Sequence, residues 1–209
     1  MVTLYLARLV ELSSDWLKLI DEERRERVLR CKDVETQKQI LTAGLLLNKV
    51  FSLYGVEPET LQKDVQGKPV VEGLHFNLSH TGGLVACVVS DCPVGCDVEK
   101  IKQAPKGIAE RFFHLNEKQY LERRIEDYEK QFFRLWTMKE SYLKMTGEGL
   151  RVPMQDFEVR IESDMAILRN GEKQPCFLKE YHVPNYQISV CAQEEVFSDI
   201  IWIENEADK

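Results

Sequence analysis

The sequence lacks any apolar run near the ~20 residues that span a bilayer. Its longest, from Leu84 to Val89, has only the length of a strand. Met1 to Arg8 contains no basic segment followed by an apolar one, so it does not read as a secretion signal, and a cytoplasmic protein is expected. Positive charge is not in excess: 28 Lys and Arg stand against 35 Asp and Glu, a net charge of −7. That balance argues against non-specific nucleic-acid binding by phosphate neutralisation. A zinc pattern is also missing. Cys31, Cys87, Cys92, Cys96, Cys176 and Cys191 include one C-x3-C pair, and no second Cys or His pair completes a four-ligand set. These six read as reduced, mostly buried thiols. Neither a Walker A loop nor a G-x-S-x-G elbow occurs.

What is present is an ordinary globular balance, 44% hydrophobic and 30% charged in 209 residues, enough to build a core. Residues 2–10 suit a buried strand, and Ser13-Ser14-Asp15 offers a helix cap. Asp21 to Arg30 reads as an exposed charged helix and Val34 to Tyr54 as a long one, closed by Gly55. After the turn Gly67-Lys68-Pro69 come strands at His75 to Ser79, Leu84 to Ser90 and Val94 to Glu99. A second cycle begins near Ala104: helices at Ile108 to Phe113, Glu117 to Arg124 and Tyr128 to Thr146. Strands follow at Phe157 to Ile161, Met165 to Leu168, Pro175 to Tyr181, Tyr186 to Ala192 and Ile200 to Ile203. Helices followed by strands, twice, predict an α+β fold. The expected domains are residues 1–103 and 104–209, each a helix-plus-antiparallel-sheet half, related by a pseudo-twofold and facing an interhalf cleft.

Four segments carry candidate chemistry. Asp97 and Glu99 leave one face of a strand together, as a Mg²⁺ pair or as a solvated strand end. Glu140 and Lys144 share one helix face, as a surface ion pair or as a metal carboxylate with a cation for a phosphate oxygen. Ser79 and His80 lie at a glycine-containing turn, where both can donate to phosphate oxygens. They are poorly placed as nucleophile and base, because neighbours on a strand point to opposite faces. Lys68 either reaches a ligand or belongs to an ordinary turn.

In order and spacing these segments resemble one family. Gly67-Lys68-Pro69, Phe76-Asn77-Leu78-Ser79-His80-Thr81-Gly82, Gly95-Cys96-Asp97-Val98-Glu99 and Phe133 to Lys144, with Gly147-Glu148-Gly149-Leu150 beyond, are similar to the 4′-phosphopantetheinyl transferases. The single-chain, surfactin-synthetase-activating (Sfp) type fits best. The resemblance implies transfer of phosphopantetheine from coenzyme A to a serine of an apo acyl or peptidyl carrier protein, with release of 3′,5′-ADP. It implies Mg²⁺, with Mn²⁺ as a substitute, on Asp97, Glu99 and Glu140. Lys144 matches the pyrophosphate lysine, Ser79 and His80 match residues at CoA phosphates, and Lys68 matches a cation near the nucleotide. For the 3′-phosphate the best match is Lys38, with Arg27 next. Glu140 is the candidate base, with a metal-bound water as its rival. The carrier is expected to dock on Arg111-Phe112-Phe113, with Arg123-Arg124 nearby, and one chain is expected to complete the cleft as a monomer. Two other classes stay open: another Mg²⁺-dependent phosphoryl enzyme, and a non-catalytic carrier-binding module.

Overall fold

All of β1 (Val2–Arg8) except its last residue is buried, because the strand is covered on both faces. The structure, a computed structural model, describes residues 1–65, 67–161 and 165–204, the side chains of Glu59 and Leu150 excepted. After β1 come α1 (Ser14–Leu17), α2 (Glu22–Arg30), α3 (Val34–Leu53), β2 (Gln62–Lys63), β3 (Pro69–Val70), β4 (His75–Thr81), β5 (Leu84–Ser90) and β6 (Val94–Lys100). Next are α4 (Ile108–Phe112), α5 (Leu115–Glu122) and α6 (Tyr128–Thr146). The chain ends with β7 (Phe157–Arg160), β8 (Ala166–Arg169), β9 (Glu172–Lys173), β10 (Phe177–Val183), β11 (Tyr186–Ala192) and β12 (Phe197–Trp202). Among the described residues, no helix is long and apolar enough to cross a membrane.

The α+β expectation holds, and the helix starts follow from their caps. Ser13, Asp21 and Asp33 each accept a backbone N–H of the first turn of α1, α2 and α3. His114 and Glu117 form a capping box, so α5 starts at Leu115 rather than at Glu117. β4 runs on to Thr81, two residues beyond the expected end, and the last strands fall at 177–183 and 197–202.

Two sheets dominate, in the orders β12-β1-β5-β4 and β10-β11-β6. Each draws strands from both sides of residue 103: β6 pairs with β11, and β12 lies parallel to β1. The sheets pack face to face through Leu4, Leu6, Ala86, Val88, Cys96, Val98, Ile188 and Val190. α3 covers the outer face of the first sheet through Leu46, Leu47, Val50 and Phe51 against Tyr5, Val85 and Val89. α6 lies across β6 and β11 on the outer face of the second. The result is four layers, helix–sheet–sheet–helix, and β5 is buried throughout and apolar up to its last residue, Ser90, because neither of its faces meets water. The six cysteines are unpaired, and four of them are buried in these layers.

β6 divides its residues by parity. Val94, Cys96 and Val98 enter the core between the sheets. Gly95, Asp97 and Glu99 therefore face α6. At Gly95 helix and strand meet backbone to backbone: an added Cβ would lie 2.2 Å from the Ser141 carbonyl oxygen and 2.4 Å from the Met145 nitrogen. The roll of α6 is fixed on its other side by Lys139, which is wholly buried. Its Nζ donates to both Glu117 carboxylate oxygens at 2.7 and 2.8 Å and to the Phe157 carbonyl at 2.8 Å.

Two outcomes follow from this packing. Gly95→Ala forces α6 off β6 and is expected to cost about 3 kcal/mol, near the top of the usual range for overpacking, read as a lower midpoint in urea unfolding; a wild-type midpoint would contradict the close contact. Lys139→Met strands the Glu117 carboxylate and is expected to cost about 3–5 kcal/mol. The double change Lys139→Met, Glu117→Gln, which removes the charge but keeps an acceptor for the His114 and Val159 N–H groups, should recover much of that loss, and a double variant no better than the single would contradict the pairing.

Candidate active site

The site forms where β4 meets β6 beneath α6. The two strands lie side by side at the seam of the two sheets, and side chains take the place of a backbone ladder. Asn77 Oδ1 accepts the Cys96 N–H at 3.0 Å, Ser79 Oγ accepts the Val98 N–H at 3.3 Å, and Thr81 Oγ1 accepts the Lys100 N–H at 3.3 Å. Every second residue of β4 thus satisfies every second N–H of β6.

The same hydroxyls bind the acidic residues. Ser79 Oγ donates to Asp97 Oδ1 at 2.8 Å, and Thr81 Oγ1 donates to Glu99 Oε2 at 3.3 Å. From α6, Lys144 Nζ donates to Asp97 Oδ1 at 2.7 Å, to Ser79 Oγ at 3.1 Å and to the Cys96 carbonyl at 3.1 Å. Ser79 therefore uses one donor and two acceptors, its whole capacity. Lys68 Nζ donates to the Lys144 carbonyl at 2.7 Å and ties the β2–β3 hairpin to α6. Lys68, Asn77, Glu140, Lys144, Glu148 and Arg151 line a cleft of about 620 Å³ above this cluster.

Charge in the cluster is unbalanced. Asp97 is buried and its Oδ2 has no partner. Burial, then the Asp97 carboxylate, pushes the Glu140 pKa up, and the same two causes raise Glu99. Burial works against the Lys144 charge, but Asp97 with Cys96 and Glu140 outweighs it, and the Lys144 pKa is raised. Three acids thus surround one held ammonium, and a buried carboxylate oxygen is left open. A hard cation would relieve both the orphaned oxygen and the mutual repulsion. Among the described residues, no three His, Cys, Asp or Glu side chains already converge as a finished metal site.

Asp97, Glu99, Glu140, Lys144, Ser79 and Lys68 come together as the sequence led one to expect. His80 does not join Ser79. It leaves β4 on the face shared by Phe76 and Leu78, which pack toward α3. Burial, then the charges of Lys144 and Arg27, pushes its imidazole pKa down. Lys38 is held by Glu11 at 2.7 Å, and no hydrogen bond or ion pair among the described residues links it to the cluster. Arg27 instead lines a second cleft of about 330 Å³ with Pro69 and two ion pairs, Arg24 with Asp21 and Lys63 with Glu23. Of the expected docking segment, Phe113 is core, while Arg111 lies over the ring of the half-buried Phe112 at 5.1 Å. The sequence reading assigned no role to Asn77 and Thr81, or to Arg24. The signal for the first two was there: polar side chains at 77, 79 and 81 alternate along one strand.

Residues 93–191 match the model of the 4′-phosphopantetheinyl transferase superfamily. The 4′-phosphopantetheinyl transferase ffp of Bacillus subtilis is 35% identical over 202 residues, covering 91% of this chain and 90% of that protein. The 4′-phosphopantetheinyl transferase Sfp of Bacillus subtilis strain 168 is 34% identical over 198 residues, covering 89% and 88%. Among solved structures, holo-[acyl-carrier-protein] synthase of Thermotoga maritima overlaps 50% of this chain and 64% of its own, at 18% identity and a TM-score of 0.42. On its sequence match to relatives across most of their length, this chain belongs to the 4′-phosphopantetheinyl transferase superfamily.

Proposed function

We propose that this enzyme moves the 4′-phosphopantetheine group of coenzyme A to a serine hydroxyl of an apo acyl or peptidyl carrier protein and releases 3′,5′-ADP. One observation carries the reading. Lys144 is held against Asp97 and Ser79 at the cleft floor, with Asp97 Oδ2 buried and open. That arrangement suits a dianionic pyrophosphate and a divalent cation together, and neither alone.

In this reading Asp97, Glu99 and Glu140 would hold Mg²⁺ or Mn²⁺. When bound, the ion neutralises charge on the pyrophosphate and on the leaving group. The chain's own residues do the rest. Lys144 keeps its proton; all three of its donors are used within the protein, so one of them, from Ser79 or the Cys96 carbonyl, passes to a pyrophosphate oxygen when the substrate enters, where a closed cleft makes the charge worth more than in water. Ser79 orients that ammonium. The serine oxygen attacks the β-phosphorus, the bond from that phosphorus to the bridging oxygen breaks, and the electron pair leaves with 3′,5′-ADP. Glu140, raised by burial and by Asp97, accepts the serine proton, directly or through water. Lys68 stands at the nucleotide side of the cleft. For the 3′-phosphate the candidates are Lys38, whose partner Glu11 is exposed and easily displaced, and next Arg27 in the cleft beside Pro69. His80, exposed on that side of β4, offers its imidazole to a CoA phosphate. Arg111 and Phe112 offer the carrier an exposed cation beside an apolar ring.

The reading also carries a monomer working in the cytoplasm, with the halves 1–103 and 104–209 related by a pseudo-twofold.

The test is intact-mass spectrometry of apo carrier proteins after incubation with the enzyme, CoA and Mg²⁺. A gain of one phosphopantetheine is expected, lost in EDTA and reduced about 100-fold or more by Glu140→Gln, which should still bind CoA. No gain on fatty-acid, polyketide and peptide carriers alike would overturn the reading, and undiminished turnover by Glu140→Gln would remove the role of Glu140.

A further inference from the structure

The seam between β4 and β6 repeats one contact at a fixed offset. Ser79 accepts the N–H of Val98 and donates to the carboxylate of Asp97. Two residues on, Thr81 accepts the N–H of Lys100 and donates to the carboxylate of Glu99. Each hydroxyl spans a backbone N–H and the acidic side chain just before it. A hydroxyl has one proton, so once it accepts from the backbone that proton is aimed at the carboxylate.

The tip of the β4–β5 hairpin is clamped from the other side. Tyr186 Oη donates to the Gly82 carbonyl at 2.6 Å. An added Cβ at Gly83 would lie 2.6 Å from that same oxygen, and Gly83 has φ +88°, so only glycine lets the phenol close on the turn. Tyr186 sits opposite Lys100 in the β11–β6 ladder. The hairpin tip, the end of β6 and the start of β11 are thus locked together around Thr81.

We propose that Thr81 is a positioning residue for Glu99, its hydroxyl fixing the Glu99 carboxylate to the frame of β6 and presetting it as a cation ligand. This rests on the transferase reading with its three acidic ligands. Glu99 needs such support more than Asp97 does, because it is less buried and, among the described residues, no lysine forms an ion pair with it, although the charges of Lys102 and Lys144 act on it from further off. A free carboxylate at a strand end would rotate, and the ordering cost would fall on cation binding. A clip made with the fold removes that cost.

The test uses Mn²⁺ as the probe, titrated into enzyme with CoA and followed by the EPR signal of free Mn²⁺. Thr81→Val keeps the shape of the side chain and removes the hydroxyl. It is expected to weaken Mn²⁺ about ten-fold, the lower end of what an outer-shell partner contributes, while the thermal midpoint and the carrier KM stay near wild type. Thr81→Ser restores the hydroxyl and is expected to restore Mn²⁺ binding. Thr81→Ala is read in the same way should the valine variant not fold. Wild-type Mn²⁺ affinity in Thr81→Val, or no recovery in Thr81→Ser, overturns the proposal and leaves the transferase reading in place. Absence of Mn²⁺ binding by the wild-type enzyme overturns the metal reading beneath it, and this proposal with it.

Discussion

The seam at which β4 meets β6 is the constraint on which the rest of the molecule depends. β6 is an edge strand of its own sheet, and its N–H groups on that side face another strand with no ladder between them. Left unpaired, the buried Val98 N–H would cost roughly 1–3 kcal/mol and the half-buried Cys96 N–H less, while the Lys100 N–H lies at the exposed end of the seam. Asn77, Ser79 and Thr81 supply the acceptors instead. Side chains at a spacing of two can do this only if the strands hold one register, so the seam fixes how the two sheets lie. That register is also what places each hydroxyl beside an acidic side chain.

The site is then assembled by the parity of β6 and the roll of α6. Even-numbered residues of the strand close the core between the sheets, and odd-numbered ones face the helix. Gly95 brings α6 close enough for Lys144 to reach down to Asp97. Lys139 and Glu140 are neighbours on α6 with opposite fates. Lys139 is locked inside against Glu117, while Glu140 lines the cleft. The buried pair thereby sets the direction in which its neighbour points. Burial first, and the Asp97 carboxylate second, raises the pKa of Glu99 and of Glu140, and one Asp97 oxygen has no hydrogen-bond partner. A cation would offset all three, which supports the proposed metal site.

Much of this was legible in the sequence because it is local. The D-x-E pair on a strand and the E-x-x-x-K pair on a helix follow from periods of two and 3.6, and both acidic groups fell where expected. The pairing of β6 with β11 and of β12 with β1 left no local trace, since long-range strand pairing is not written in either strand alone. Ending β4 at Ser79 hid Thr81 in a turn, and with it the second hydroxyl of the seam. The close approach at Gly95 was equally silent, because a glycine in a strand does not say which neighbour it admits. For the 3′-phosphate, charge on a helix could be counted but not aimed. Lys38 pairs with the exposed Glu11, and Arg27 opens on the cleft beside Pro69.

The central claim is that the acidic groups of β6 and α6 share one cation while Lys144 holds the pyrophosphate. A crystal structure with CoA and Mn²⁺, with the metal located by its anomalous signal, tests it most directly. The account predicts one peak ligated by Asp97 Oδ2 together with Glu99 and Glu140, and Lys144 Nζ on a pyrophosphate oxygen. A metal bound away from Asp97, or a pyrophosphate seated outside the reach of Lys144, would contradict it.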